Sequence, residues 1–186
     1  MTIRAERQGG WRVNLISNQI TVMTMYFEEY VQSNTKEFTD KVEDICCELQ
    51  IRPNWLMFVM YFESRLNHRA VNRISGATGL IQFMPATARG LGTTTDALFN
   101  MSNVDQLYYV KKYLMPYRGR MKRWVDVYLA VFYPAALGNP NYVITRDIVA
   151  IQNPIFDINK DKDITVREIE TVLRNKIPIK YRGYYE

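Results

Sequence analysis

Eight consecutive uncharged residues, Trp55 to Phe62, run straight into Glu63. Pro53 suits the first turn of a helix, so the stretch predicts a helix from Pro53 to an end near Glu63–Leu66. A helix that is apolar all round belongs inside a domain. Met60, Val59, Leu56 and Trp55 lie three, four, seven and eight positions before Glu63, on its own side of the helix. A carboxylate over such a surface loses water, its charged form is disfavoured and its pKa rises. That is the condition of a general acid working near neutral pH. The plainer alternative is a solvated helix end.

The rest of the chain reads as mainly helical. Ile16, Ile20, Met23, Phe27 and Val31 predict an amphipathic helix to about residue 32. Asn34 or Thr35 caps a second, with Phe38, Val42, Ile45 and Leu49 as its stripe. Residues 67–80 are rich in Asn, Ser and Gly and read as loop or short strands. Pro85 opens a short helix to Arg89, closed by Gly90 and Gly92. Further helices are expected at 103–115, 122–133 and about 165–176, the last before a Tyr-rich end. With 186 residues, 47% hydrophobic and 23% charged, this makes one domain with an appendage. We expect a catalytic unit over 1–145, N-terminal helix included, and an extension over 146–186 packed on the same domain.

The net charge of +5 suits an anionic partner. Lys111, Lys112, Arg118, Arg120, Lys122 and Arg123 crowd one window, as a solvated face or a footprint for anionic wall or nucleic acid. No DNA-reading motif accompanies them, and nucleic acid is not expected as partner. Cys46 and Cys47 are adjacent, a poor geometry for a disulfide. The single histidine, His68, makes histidine-based metal sites and triads improbable. MTIRAERQGGW lacks the apolar core of a secretory signal, and no run reaches transmembrane length.

Glu63-Ser64 and Asn67 are followed, thirteen residues after Glu63, by GATGLIQFMPATA over residues 76–88. In order and spacing this resembles the lytic transglycosylase branch of the lysozyme-like superfamily, most clearly over residues 53–92. The resemblance implies an α-rich, α+β lysozyme-like fold and cleavage of the MurNAc-β-1,4-GlcNAc bond of peptidoglycan glycan strands. Glu63 would be acid and base in turn, giving 1,6-anhydro ends with no catalytic cofactor. Ser64, Gly79, Gln82 and Tyr133 would shape the substrate site. Independently, Gly76 and Gly79 permit positive φ and close approach of a ligand, and the Gln82 amide both donates and accepts. Phe83 and Met84 read as core.

The family's late A-Y-N-A-G motif has its best counterpart in VFYPAALGNP, with Tyr133 in place but Pro134 and Ala136 departing from it. This suggests a variant branch of the phage-lysin kind. A glycosidase usually needs two carboxylates, and none accompanies Glu63 in the motifs. That accords with the single glutamate the resemblance implies; a lysozyme-type hydrolase of the same bond is one alternative, with Asp96 or Asp105 holding water though no motif marks either. An inactive wall-binding module is another. The resemblance further implies a monomer made in the cytoplasm, reaching the wall by holin-type release or carried by a phage or contractile particle.

DINKDKDITVRE, residues 157–168, reads as an EF-hand calcium loop. Asp157, Asn159, Asp161, Thr165 and Glu168 take ligand positions, Asp163 offers its carbonyl, and Lys162 stands where glycine is usual. The loop would hold a structural Ca2+. The alternative is an acidic turn before a Thr165/Glu168 capping box. Tyr181, Tyr184 and Tyr185 either stack on sugars or pack on the core.

Overall fold

A computed structural model describes residues 25–145 and 147–185. The fold is mainly α. Eight α-helices carry it among the described residues: α1 (Thr35–Leu49), α2 (Pro53–Ser64), α3 (Pro85–Gly90), α4 (Thr95–Asn100), α5 (Asn103–Leu114), α6 (Trp124–Phe132), α7 (Asp147–Gln152) and α8 (Val166–Lys176). A two-residue ribbon pairs β1 (Val143–Ile144) with β2 (Ile164–Thr165), antiparallel. No described helix is long and apolar enough to cross a membrane.

The apolar stretch forms the central helix. Every residue of α2 from Leu56 to Tyr61 is buried, with α1 and α6 packed against it. Phe58 meets Trp124 at 5.7 Å and Phe62 meets Tyr128 at 5.3 Å between ring centroids, so α2 and α6 run in the same direction. The α1 stripe faces inward as its spacing predicts, with Phe38, Val42, Ile45 and Leu49 buried. Polar N-caps open α4 and α5: Ala97 N donates to Thr94 Oγ1 and Asp105 N to Ser102 Oγ, each at 3.0 Å. Asp126, almost wholly buried, accepts from Lys122 N and Arg123 N at the start of α6.

One expectation needs correction, and another resolves to the first of its two alternatives. The helix predicted to residue 32 has its stretch 16–24 outside the described residues, and the described part is not α-helical. Phe27 takes φ 67°, a left-handed conformation that breaks a helix, and a single 3-10 turn follows at Glu28–Tyr30. Phe27 is nevertheless wholly buried, 4.7 Å from the Tyr61 ring centroid, so its apolar spacing reflected burial without helix. Residues 67–80 form no strand, only isolated bridges joining Val71 to Thr78 and Thr78 to Phe83.

The extension belongs to the same core. Phe156 packs against Phe62, Tyr128 and Phe132. Beyond α8, Tyr185 donates to Asn54 O at 2.6 Å and packs against Phe58 and Trp124. Tyr181 stacks on Tyr26 at 4.5 Å, and Lys180 and Tyr181 both bond Glu29. These tyrosines pack on the body of the protein.

Candidate active site

Glu63 is the last residue but one of α2. Burial alone pushes its carboxyl up from 4.5 to about 7. The carbonyl end of the helix disfavours a negative charge in the same sense. Glu63 takes part in no ion pair among the described residues. Its charge is felt by two tyrosines, Tyr113 and Tyr128. Burial chiefly pushes both hydroxyls up, helped at Tyr128 by Glu63 and at Tyr113 by Tyr117 and then Glu63, Tyr113 to about 12. Tyr113 donates to Ala130 O at 3.1 Å, pinning the end of α6, and meets Phe83 edge-on at 6.3 Å.

The chain turns sharply after Glu63. Arg65 and Leu66 follow with φ of 57° and 59°, a pair of left-handed non-glycine residues costing roughly 1–2 kcal/mol each. Burial of Leu66 and the bond from Arg65 N to Tyr61 O, 2.9 Å, offset that cost. Ser64 sits at the bend with its hydroxyl 3.0 Å from Met60 O and 2.9 Å from Leu80 O. Its single hydrogen is thus held between two carbonyls, tying α2 to the 76–88 loop. Ser64 is buried and serves as a tether.

Gly79 has φ 87°, and a Cβ there would stand 2.5 Å from Gln106 Oε1. What approaches Gly79 is therefore a side chain of the protein itself. Gln106 is fully buried in α5. Its Oε1 accepts from Leu80 N at 3.0 Å, and its Nε2 donates to His68 O and Leu98 O, each at 2.6 Å. One amide thus fastens the motif loop, the 67–70 turn and α4 together. Gln82, at φ 53°, donates through Nε2 to Gly79 O at 3.1 Å and Ala70 O at 3.3 Å. That leaves its Oε1 as the end able to meet a ligand. Phe83 is core as expected, but Met84 is about half exposed at the entry to α3.

Tyr133 terminates α6 and lies 6.0 Å from Tyr142, centroid to centroid. No described hydrogen bond joins it to Glu63. Pro134 opens a 3-10 turn, Pro134–Ala136, in which Ala136 is fully buried. Asp96 and Asp105 are exposed in the first turns of α4 and α5, and Asp105 accepts from Ser102 Oγ at 2.7 Å. Neither is among the causes of the Glu63 displacement.

The 157–168 loop is bonded to itself. Lys162, at φ 71°, donates its N–H to Asp157 Oδ2 at 3.2 Å. Asn159 Nδ2 donates to Asp161 Oδ2 and Asp163 N to Asp161 Oδ1. Glu168 accepts from Thr165 N at 2.9 Å and Thr165 Oγ1 at 2.8 Å, and through its other oxygen from Ile158 N. The capping box is therefore formed. Among the described residues no three His, Cys, Asp or Glu side chains stand together as a metal site. Asp157 Oδ1 is nonetheless buried without a hydrogen-bond partner.

Residues 42–130, from within α1 to within α6, match the family model of the transglycosylase SLT domain. This part of the chain is an SLT domain of the lysozyme-like superfamily. Glu63, the 76–88 loop, Gln106 and Tyr113 all fall inside the SLT match, whereas Tyr133 and the calcium-like loop fall outside it. No curated protein matches the chain. The family is one of peptidoglycan-cleaving, lysozyme-like enzymes, a substrate consistent with a neutral-range acid at Glu63.

Proposed function

We propose that the protein is a lytic transglycosylase cleaving the MurNAc-β-1,4-GlcNAc bond with Glu63 as its single acid and base. The observation that carries this is a carboxyl raised to about 7 by burial, with no second carboxylate among the causes. Glu63 donates its proton to the glycosidic oxygen as the bond from that oxygen to the muramoyl C1 breaks. The carboxylate left behind takes the proton of the same sugar's C6 hydroxyl while that oxygen bonds to C1. Glu63 returns protonated, no water is consumed, and the product ends in a 1,6-anhydro ring. A pKa near 7 suits both half-steps near neutral pH. Gln82 Oε1 would accept from a sugar hydroxyl or N-acetyl N–H, and Tyr133 would border the site.

The test is digestion of purified peptidoglycan with mass analysis of the ends. Ends lighter than reducing ends by one water are expected. Predominantly reducing ends would make the protein a hydrolase and require a water-holding group. Intact wall under conditions where the protein is folded would favour a wall-binding module.

We further propose that the 157–168 loop binds calcium weakly, for stability. The orphaned Asp157 Oδ1 and the left-handed Lys162 support this. The competing Glu168 cap and the side chains of Lys160 and Lys162 weaken it, toward the roughly 10⁻⁴–10⁻³ M range of extracellular modules. At calcium about tenfold above the dissociation constant, linkage adds about 1.4 kcal/mol. Melting of the wild type should therefore shift upward with calcium relative to chelator, and Asp157→Ala/Asp161→Ala should not respond. Superimposable wild-type curves would leave only an acidic turn before a capped helix.

A further inference from the structure

We propose that the turn from Arg118 to Lys122 is a docking surface for the carboxylates of peptide stems borne by the glycan, an inference that rests on the peptidoglycan reading. Residues 106–125 hold six cations and no Asp or Glu. The structure divides the six. Lys111 pairs with Glu48 at 3.0 Å, Lys112 donates to Leu91 O at 2.9 Å, and Arg123 reaches Asp126 and Glu170, each at 3.4 Å. Arg118, Arg120 and Lys122 are exposed and form no ion pair with any described residue.

Their backbone is held in place. Gly119 turns the chain at φ 74°, Arg118 N donates to Met115 O and Arg120 N to Tyr117 O. Met121, between Arg120 and Lys122, is 1% exposed and anchors the turn in the core. The guanidinium of Arg120 lies 6.0 Å from the Tyr117 ring centroid. The three charges therefore stand on a rigid base, which lowers the entropy lost when they meet a partner.

Position decides which part of the polymer they meet. A Cβ at Gly119 would lie 3.5 Å from Gln50 Oε1, which sets the turn beside the end of α1, just before α2 begins. Glu63 lies ten residues beyond Pro53, about 15 Å along the helix. The turn thus lies toward the end of α2 away from Glu63, where a neighbouring stretch of the polymer would meet it. Glycan offers hydroxyls and N-acetyl groups; its negative charge is on the stem carboxylates. Phosphodiesters of other wall polymers share that anionic chemistry, and the experiment separates the two sources.

Binding is measured by sedimentation with purified walls in a Glu63→Gln background, so that no cleavage intervenes. The walls are intact, stripped of phosphodiester polymers, or treated with carbodiimide and ammonia so that their stem carboxylates become neutral amides. Arg118→Gln/Arg120→Gln/Lys122→Gln should bind intact walls at least tenfold more weakly, and added salt should weaken the parent far more than the variant. Phosphate-stripped walls should bind the parent like intact ones, and walls with amidated stems should bind it as weakly as intact walls bind the variant. Arg118→Lys/Arg120→Lys should keep the affinity, separating lost charge from a folding defect. Equal binding by parent and triple variant would overturn the proposal, as would loss of binding on removing phosphate in place of amidating stems. A DNA gel shift abolished by the same changes, with wall binding untouched, would overturn it in favour of nucleic acid. Failure of the glycosidase reading would show differently, as intact binding with no cleavage by the wild type.

Discussion

Replacing Glu63 by Gln is expected to lower wall-clearing activity at least ~10²-fold, because an amide delivers no proton. The same change should stabilise the protein in alkali. The folded-state pKa of Glu63 is raised from 4.5 to about 7, so the native state holds more protons than the unfolded chain between those values. Stability therefore falls as pH rises through that window, by an amount on the order of 1–3 kcal/mol. Below about 4.5 both states carry the neutral acid and the penalty is absent. Glu63→Gln, neutral throughout, should melt with the wild type at acid pH and above it at pH well over 7. Wild-type kcat/KM should decline as pH passes about 7, where the acid is lost. Wild-type clearing by Glu63→Gln would remove the catalytic assignment. Equal melting of the two proteins in alkali would show that Glu63 is solvated after all.

The second large effect is expected at Gln106, which is fully buried. Gln106→Leu leaves Leu80 N, His68 O and Leu98 O without the partners they now have. An unsatisfied buried polar group costs about 1–3 kcal/mol, so a loss of roughly 3–5 kcal/mol is expected by denaturant titration. Gly79→Ala strikes the same contact from the other side, since its Cβ would displace the Gln106 amide. The two changes should therefore be strongly non-additive, the double variant losing much less than the sum. Additive losses would show that the loop does not depend on the Gln106 amide.

Much of this was legible in the residues themselves. The stripes of α1 and α2 follow from spacing, and the setting of Glu63 follows from the uncharged run before it. What escaped was set by tertiary partners. Ser64 resembles a site residue in the motif, but its hydroxyl is drawn to Leu80 O, sixteen positions away. Gly79 was expected to admit a ligand, yet the space is taken by Gln106. The trace of that arrangement in the sequence is a polar residue on the apolar stripe of α5, whose other members include Leu107, Val110 and Leu114. Tyr113 carried no motif at all. Phe27 had helical spacing, but a left-handed backbone joins it to the core.

The contact between Tyr185 and Asn54 spans 131 positions, and that between Lys180 and Glu29 spans 151. Closing such long loops lowers entropy before any packing rewards it, and folding rates fall as contacts become less local. The central helix thus gains this cover only when the segment around Tyr185 has been synthesised. During translation Phe58 and Trp124 wait for Tyr185, and a nascent chain cut off before it keeps an open apolar seam. Assembly of the acid-bearing helix is in this way coupled to the arrival of a segment more than a hundred residues downstream, a late step in the folding order.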